Sequence, residues 1–320
     1  MEYQNYTASS ITHFIIAGIP GLQDWKERIA LAIVFFVIYT VTIIANLIFL
    51  IIIKLDHALH SPMYLFICNL AFLDLLIPSV TIPEMLYYLI TEDGFIAFGP
   101  CIMQMYCYLS FLVAEAFTLV GMAYDRYQAI CNPLGYSTVM TTKHVFILSA
   151  LSWAVGIIEA MIHVYFVLTA TFCGPNRIEY FCCNYAPIIL LACTDVSVHN
   201  QYNMGISLII ISVQLSLILY SYGKIITAVL RISSIEGQSK AFSTCASHVL
   251  VISVFFLVLA FLFISYGMSG IPDQIRTLAA IIQNLLPSLV NPIIYCLKTK
   301  EIRISITKML TKCRMWASIS

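Results

Sequence analysis

Apolar residues run almost unbroken over Arg28–Lys54, Met63–Ile90, Gly99–Tyr127, His144–Leu168, Asn200–Arg231, Ala241–Tyr266 and Gln274–Leu297. A helix rises 1.5 Å per residue, so about 20 residues cross the ~30 Å hydrocarbon layer of a bilayer. Each of the seven stretches is long enough. None alternates apolar and polar positions with period two, which argues against a barrel and for helices that satisfy their own backbone. Between them lie short polar connections and one longer one, Thr169–His199. No segment is large or polar enough to form a separate globular domain. The pattern predicts an all-α membrane protein: an N-terminal segment (1–27), a seven-transmembrane helix bundle (28–297) and a C-terminal tail (298–320).

Composition agrees. The 320 residues are 61% hydrophobic and 10% charged, with a mean hydropathy of +0.92. Soluble domains carry roughly 25% charged residues, so this chain lacks the polar residues to clothe a water-facing surface of its size. The formal net charge is zero, so no nucleic-acid partner is implied. The distribution of charge says more. With Met1 outside, twelve Lys and Arg lie on the inner side, against four outside (Lys26, Arg28, Arg177 and Arg276). That bias predicts an extracellular N-terminus and a cytoplasmic tail in a multi-pass plasma-membrane protein. Asn5-Tyr-Thr is then a glycosylation acceptor on the lumenal side. The first ~27 residues lack the apolar core of a removable signal peptide, so the first span is expected to serve as the insertion signal.

Eleven cysteines are present. Cys101 opens the third span, and Cys173, Cys182, Cys183 and Cys193 lie in the long outer connection, on the oxidising side where disulfides form. Cys68, Cys107, Cys131, Cys245 and Cys296 fall in or near spans and read as packing residues. Cys313 follows a basic run near the inner surface and is a palmitoylation candidate.

Ionisable side chains inside a membrane are costly. Asp74, Glu115 and Glu159 occupy the second, third and fourth spans, with Asn46 and Asn291 as uncharged polar residues at comparable depth. One reading is an interhelical hydrogen-bond network. The other is a cation site, because the carboxylates and amides of Asp74, Glu115, Asn46 and Asn291 offer the hard oxygens that Na⁺ takes.

At the inner end of the third span stands Met122-Ala-Tyr-Asp-Arg-Tyr-Gln-Ala-Ile-Cys131. The string resembles the signature of rhodopsin-like G-protein-coupled receptors in its odorant-receptor form, MAYDRYVAIC, with Gln128 in place of Val. Further strings of that family follow in order: Asn46 in the first span, HSPMYLF at 60–66, NLAFLD at 69–74, NPLGYS at 132–137, Ser221-Tyr222, KAFSTCASH at 240–248, PSLVNPIIY at 287–295 and KTKEIR at 298–303. The Gly18-Ile-Pro-Gly21 segment resembles the fish-like class, whereas Phe181–Pro187 does not follow that class's usual pattern.

The resemblance implies a receptor that binds small volatile or water-borne odorants within the bundle and activates a stimulatory, olfactory-type heterotrimeric G protein, raising cyclic AMP. Asp125, Arg126 and Tyr127 match the coupling motif. There the arginine rests beside its acidic neighbour and meets the G protein on activation, and its five-donor fork suits that task. Tyr222 and Tyr295 match tyrosines that swing inward, and Lys240 and His248 match the motif where the inner cavity opens. The tail is expected to carry a short amphipathic helix against membrane lipid. The family's loop spacing suggests disulfides Cys101–Cys183 and Cys173–Cys193, with Cys182 as an alternative partner for Cys101.

A pocket is expected between the third and seventh spans in their outer half. Its candidate lining is Tyr108, Leu109, Leu112, Val113, Glu159, His163, Asn203, Ile206, Ser207, Phe256, Leu259, Phe263 and Asn284, plain helix packing being the competing reading for each. Related amine receptors carry an aspartate where Tyr108 stands, and opsins a lysine where Leu285 stands, so neither ligand class is expected. Glu159 favours a ligand that donates a hydrogen bond or is cationic. A chemosensory receptor outside the nose is the nearest alternative. A transporter would show repeated halves and an enzyme a clustered nucleophile and base, and the chain shows neither.

Overall fold

The computed structural model describes residues 11–22, 24–173, 176–267 and 270–317; the side chains of 240, 243, 244, 263, 266, 267, 298, 310 and 312–317 are outside that description. Asn5 and the side chains of Lys240, Phe263 and Cys313 therefore lie outside the described residues. Among the described residues seven helices are long and apolar enough to cross a membrane. They are α1 (Trp25–Leu55), α2 (Pro62–Thr91), α3 (Phe98–Cys131), α4 (Thr142–Thr169), α5 (Ser197–Leu230), α6 (Ile235–Gly267) and α7 (Asp273–Lys298). An eighth, α8 (Lys300–Ala317), forms the tail helix. The helices overrun the apolar stretches, most of all α6, which starts six residues before Ala241. Polar residues can continue a helix past the hydrocarbon edge, and hydropathy does not record it.

Local chemistry sets the ends. Asp24 caps α1 by accepting the Lys26 N–H at 2.9 Å, with Glu27 in the first turn and Lys54 in the last, each opposite in sign to the helix-dipole end it faces. Asp56 ends α1 and accepts from both the Ala58 N–H and the Ser305 hydroxyl of α8. The Ser305 bond, then the backbone bond, holds the Asp56 carboxyl below its usual value, so the tail helix is tied to an ionised acid. Pro62 opens α2, where its missing N–H costs nothing. Glu92 ends it in the left-handed conformation (φ 61°) and pairs with Arg28 of α1. Pro78 and Pro83 in α2, and Pro287 and Pro292 in α7, sit inside helices, which a packed bundle tolerates better than an isolated helix.

In packing, α3 is central, touching α2, α4, α5 and α6. It meets α4 closely at Gly156, where a Cβ would drive into the Ser110 carbonyl oxygen. Large apolar side chains line the outside of the bundle, among them Phe36, Val41, Ile44 and Ile48 of α1. In water such a surface would aggregate; in lipid it is the expected exterior. Among the described residues two large apolar cores stack along the bundle axis, one around Phe14, Leu89, Met105 and Phe181, the other around Phe66, Leu119, Phe255 and Tyr295, with a small third cluster at Ile225, Val229 and Cys245.

The first core is closed by a small sheet that the apolar pattern did not predict. β1 (His13–Ile16) lies between β2 (Phe95–Ala97) and β3 (Arg177–Ile178). It runs antiparallel to β2 with His13 opposite Ala97, and parallel to β3 with Ile15 opposite Arg177. Strands of two to four residues are too short to display period two. Gly94 lets this cap close, since a Cβ there would strike the Ile16 carbonyl.

The contact at Gly156 carries a prediction. Gly156→Val should overpack the α3–α4 seam and cost about 1–3 kcal/mol. A fluorescence-monitored melt of the solubilised protein should show a clear fall in melting temperature, and an unchanged melt would contradict this close approach.

Candidate functional site

The end of the bundle carrying β1–β3 is called outer, and the end carrying α8 inner. At the inner end α3 presents Arg126, whose Nη2 lies 3.6 Å from Asp125 Oδ2. Asp125 is buried and its Oδ1 accepts from the Tyr136 hydroxyl at 2.9 Å. The short connection between α3 and α4 thus orients the acid beside the arginine. Arg126 Nε is buried without a hydrogen-bond partner. The guanidinium faces a cavity of about 1140 Å³ whose walls include Tyr64, Tyr136, Ser247, Tyr295, Glu301 and Arg303. Tyr222 of α5 and His248 of α6 are linked, hydroxyl to Nδ1, at 2.6 Å. His248 Nε2 and the Tyr295 hydroxyl are buried and unpartnered, and Tyr127 is half-buried on the α5 side, 6.2 Å from the Tyr220 ring. Arg126 and Tyr295 therefore share one cavity, while Tyr222 and His248 form a separate bond that ties α5 to α6. Lys240 belongs to α6 by backbone alone.

In mid-bundle, Asn291 Nδ2 donates to both oxygens of Asp74, at 3.0 and 3.3 Å. Asn46 Nδ2 donates to the Thr42 and Ser288 carbonyls, which fixes its amide orientation and leaves Oδ1 buried without a donor. Asn46, Asp74 and Asn291 line one small void with Tyr295 beside it. Glu115 is buried on α3 with Oε1 unpartnered, and it is not among the residues lining that void.

In the outer half, disulfides join Cys101 to Cys183 and Cys173 to Cys193, with Cα separations of 5.4 and 5.8 Å. Cys182 is a buried free thiol in the outer core. Gln104, which sequence reasoning passed over, holds the loop in place: Oε1 accepts the Cys183 N–H at 2.7 Å and Nε2 donates to the Val80 carbonyl at 2.9 Å. The signal was an amide one turn past Cys101 in an apolar helix.

His163 is the junction of this half. Its Nδ1 lies 2.9 Å from the Glu159 carbonyl oxygen and 3.2 Å from Glu159 Oε1, and its Nε2 lies 2.8 Å from Asn203 Oδ1 on α5. Its ring also meets Tyr185 edge-on at 4.5 Å, a loop residue that the sequence did not single out. Glu159 Oε2 and the Tyr185 hydroxyl are buried and unpartnered. Asn284 Oδ1 accepts from Thr81 at 3.0 Å while its Nδ2 is free. Tyr108 is buried and Leu109 borders the outer core. Val113, Ile206 and Ser207 are half-buried. Leu112, Phe256 and Leu259 sit elsewhere, packed with the inner core around Phe255 and Tyr295. Helical spacing alone cannot separate those two depths.

A seven-helix bundle with an arginine beside a buried acid at one mouth defines a class. It aligns with squid rhodopsin at a TM-score of 0.73, covering 91% of this chain and 87% of that one at 18% identity, so the fold is that of rhodopsin. Residues 35–313 match the olfactory receptor family model. The chain is 38% identical to human olfactory receptor 8B3 over 95% of its own length and 96% of that protein's. It is 35% identical to human olfactory receptor 6B1 over 97% of each. Mouse olfactory receptor 5AP2 is 36% identical over 96% of each. The chain belongs to the olfactory receptor family, multi-pass membrane receptors that detect odorants and signal through G proteins, and is not an enzyme.

The His163 junction predicts coupling between α4 and α5. In a double-mutant cycle of His163→Ala and Asn203→Ala, we expect an interaction energy of roughly 0.5–3 kcal/mol in thermal stability. Strictly additive losses would show that the two side chains do not act as a pair.

Proposed function

We propose that this receptor takes a small odorant into the outer half of the bundle and relays its binding to a stimulatory heterotrimeric G protein, raising cyclic AMP. In this reading the protein sits in the plasma membrane with its N-terminus outside. Support comes from the twelve-to-four excess of Lys and Arg toward the inner end and from the two disulfides at the other end. Residues 28–297 form the receptor bundle, and the tail helix lies along the inner membrane surface with its base tied to Asp56.

The observation that carries the reading is Arg126, held beside Asp125 yet facing an inner cavity large enough to admit a polypeptide segment. Its free donors suit main-chain carbonyls at the C-terminal end of a helix. Tyr222, Lys240, His248 and Tyr295 belong to the same relay, Tyr295 as a wall of that cavity and Tyr222 and His248 as the bond that ties α5 to α6. The odorant contacts are assigned to Tyr108, Leu109, Val113, Glu159, His163, Asn203, Ile206, Ser207, Phe263 and Asn284. The free acceptor on Glu159 and the free donor on Asn284 supply polar anchors in an apolar setting.

Sodium belongs to the same reading. Glu115 Oε1 and Asn46 Oδ1 are buried oxygens without donors, and the Asp74 carboxylate is held by Asn291 and Ser288 with no cationic side chain among the described residues paired to it. Asp74, Glu115, Asn46 and Asn291 are oxygen donors of the kind hard cations take, and Na⁺ there would offset buried negative charge. We expect a higher melting temperature in Na⁺ than in N-methylglucamine, with the difference abolished in Glu115→Gln; equal melting in both cations would remove sodium from the scheme.

The main test is functional. In cells expressing the receptor with an olfactory-type G protein, an odorant panel should produce a cyclic AMP response. Arg126→Ala should abolish that response while surface labelling stays near wild type. An undiminished response would exclude Arg126 as the coupling residue.

A further inference from the structure

Outside the bundle, α3, α4 and α5 leave a groove of about 680 Å³ between them, within the roughly 300–1,000 Å³ of ordinary small-molecule sites. Its origin is in the packing. α4 closes on α3 at Gly156 and meets α5 through His163 and Asn203 in the outer half. Farther in, α4 and α5 part, and the small side chains of Ser152 and Ser221 leave the space between them unfilled.

The groove is amphipathic along its length. Its upper wall is apolar, with Val120, Leu148, Leu151, Val155 and Leu217, and its lower end carries Tyr124, Tyr127, His144 and Tyr220. From Phe117 to Cys131, the last residue of α3, is about 21 Å at 1.5 Å per residue. The groove therefore crosses one leaflet, the leaflet at the Lys- and Arg-rich end, and its polar end lies at that surface. Lys224 stands one turn beyond Tyr220 with Nζ 5.6 Å from the tyrosine ring, and exposed Lys143 precedes His144 at the start of α4. Within 117–131, 142–155 and 217–230 the one acid is Asp125, which is turned to Tyr136 and Arg126. The mouth is therefore cationic without a competing carboxylate.

We propose that this groove is a binding site for an anionic phospholipid, one acyl chain lying along Val120, Leu148, Leu151 and Leu217 and the phosphate held between Lys224 and Lys143. Basic side chains between helices at a membrane surface recognise such headgroups. The chain fills a seam that protein side chains leave open, so the bound lipid braces α4 and α5 against α3. Its placement in the cytoplasmic leaflet rests on the orientation given above; the chemistry of the site does not.

The test uses the full-length receptor in nanodiscs of phosphatidylcholine alone, with phosphatidylserine, or with cholesterol, reading melting temperature and the lipid retained by native mass spectrometry. We expect phosphatidylserine to be retained over phosphatidylcholine and to raise the melting temperature. Lys224→Gln should weaken the preference roughly fivefold, the effect of one basic side chain at an anionic surface. Leu151→Trp, which fills the groove from its lipid-facing side, should abolish both effects, and Lys308→Gln in the tail should leave them intact. Should Leu151→Trp fold poorly, Lys224→Gln alone decides, because it keeps the side chain's length. The proposal is overturned if retention is indifferent to Lys224→Gln, or is lost with Lys308→Gln. Stabilisation by cholesterol but not phosphatidylserine, removed by Leu151→Trp, would overturn it in favour of a sterol.

Discussion

Inside the hydrocarbon layer there is no water to bond a backbone N–H or C=O, and each unsatisfied group costs several kcal/mol. Every other feature of this receptor is built within that constraint. It makes all seven crossings helical, confines the strands to the cap at the outer end, and pushes irregular chain to the two faces. It also explains why buried polar side chains turn to the backbone. Asn46 bonds the Thr42 and Ser288 carbonyls, Gln104 bonds the Val80 carbonyl and the Cys183 amide, and Thr118, Ser152 and Ser221 each bond the carbonyl four residues back.

Against that background, the polar atoms left without partners are informative. Several of them fall at three levels: the Glu159 and Tyr185 oxygens and the Asn284 amide in the outer half, Asn46 and Glu115 oxygens in the middle, and Arg126, His248 and Tyr295 atoms at the inner end, while Arg28, His199, Gln214 and Gln283 carry others. A membrane protein gains nothing in stability by burying free donors and acceptors. Groups of this kind suit partners that come and go, and the three levels coincide with the regions assigned to odorant, cation and G protein. The paired groups supply the rigid frame between them: Asp74 with Asn291, His163 with Asn203, Tyr222 with His248.

The outer cap and the inner tail anchor the two ends by different chemistry. Outside, disulfides and a short sheet hold the loop over the bundle, with Gln104 joining it to α2 and α3. At the inner end an ionised Asp56 receiving the Ser305 hydroxyl holds α8 at the foot of α1.

By itself the sequence determined the membrane class, the seven crossings and the family. Those depend on residue type summed over long windows, and on strings such as MAYDRYQAIC whose members are neighbours in the chain. It also marked Arg126, Asp74, Glu115 and Glu159, because a charge in an apolar run is conspicuous without any coordinates. The tertiary structure alone decided what those residues meet. That His163 reaches Asn203 and Tyr185, that Asn46 bonds Ser288 across 242 positions, and that Phe256 and Leu259 pack with the inner core depend on how far each helix slides and turns against its neighbours. Helical spacing sets which face a residue occupies but not its depth opposite another helix. The choice of Cys183 over Cys182 for Cys101, the sheet built from three fragments and the open seam beside α3 depend likewise on backbone approach at single residues such as Gly94 and Gly156.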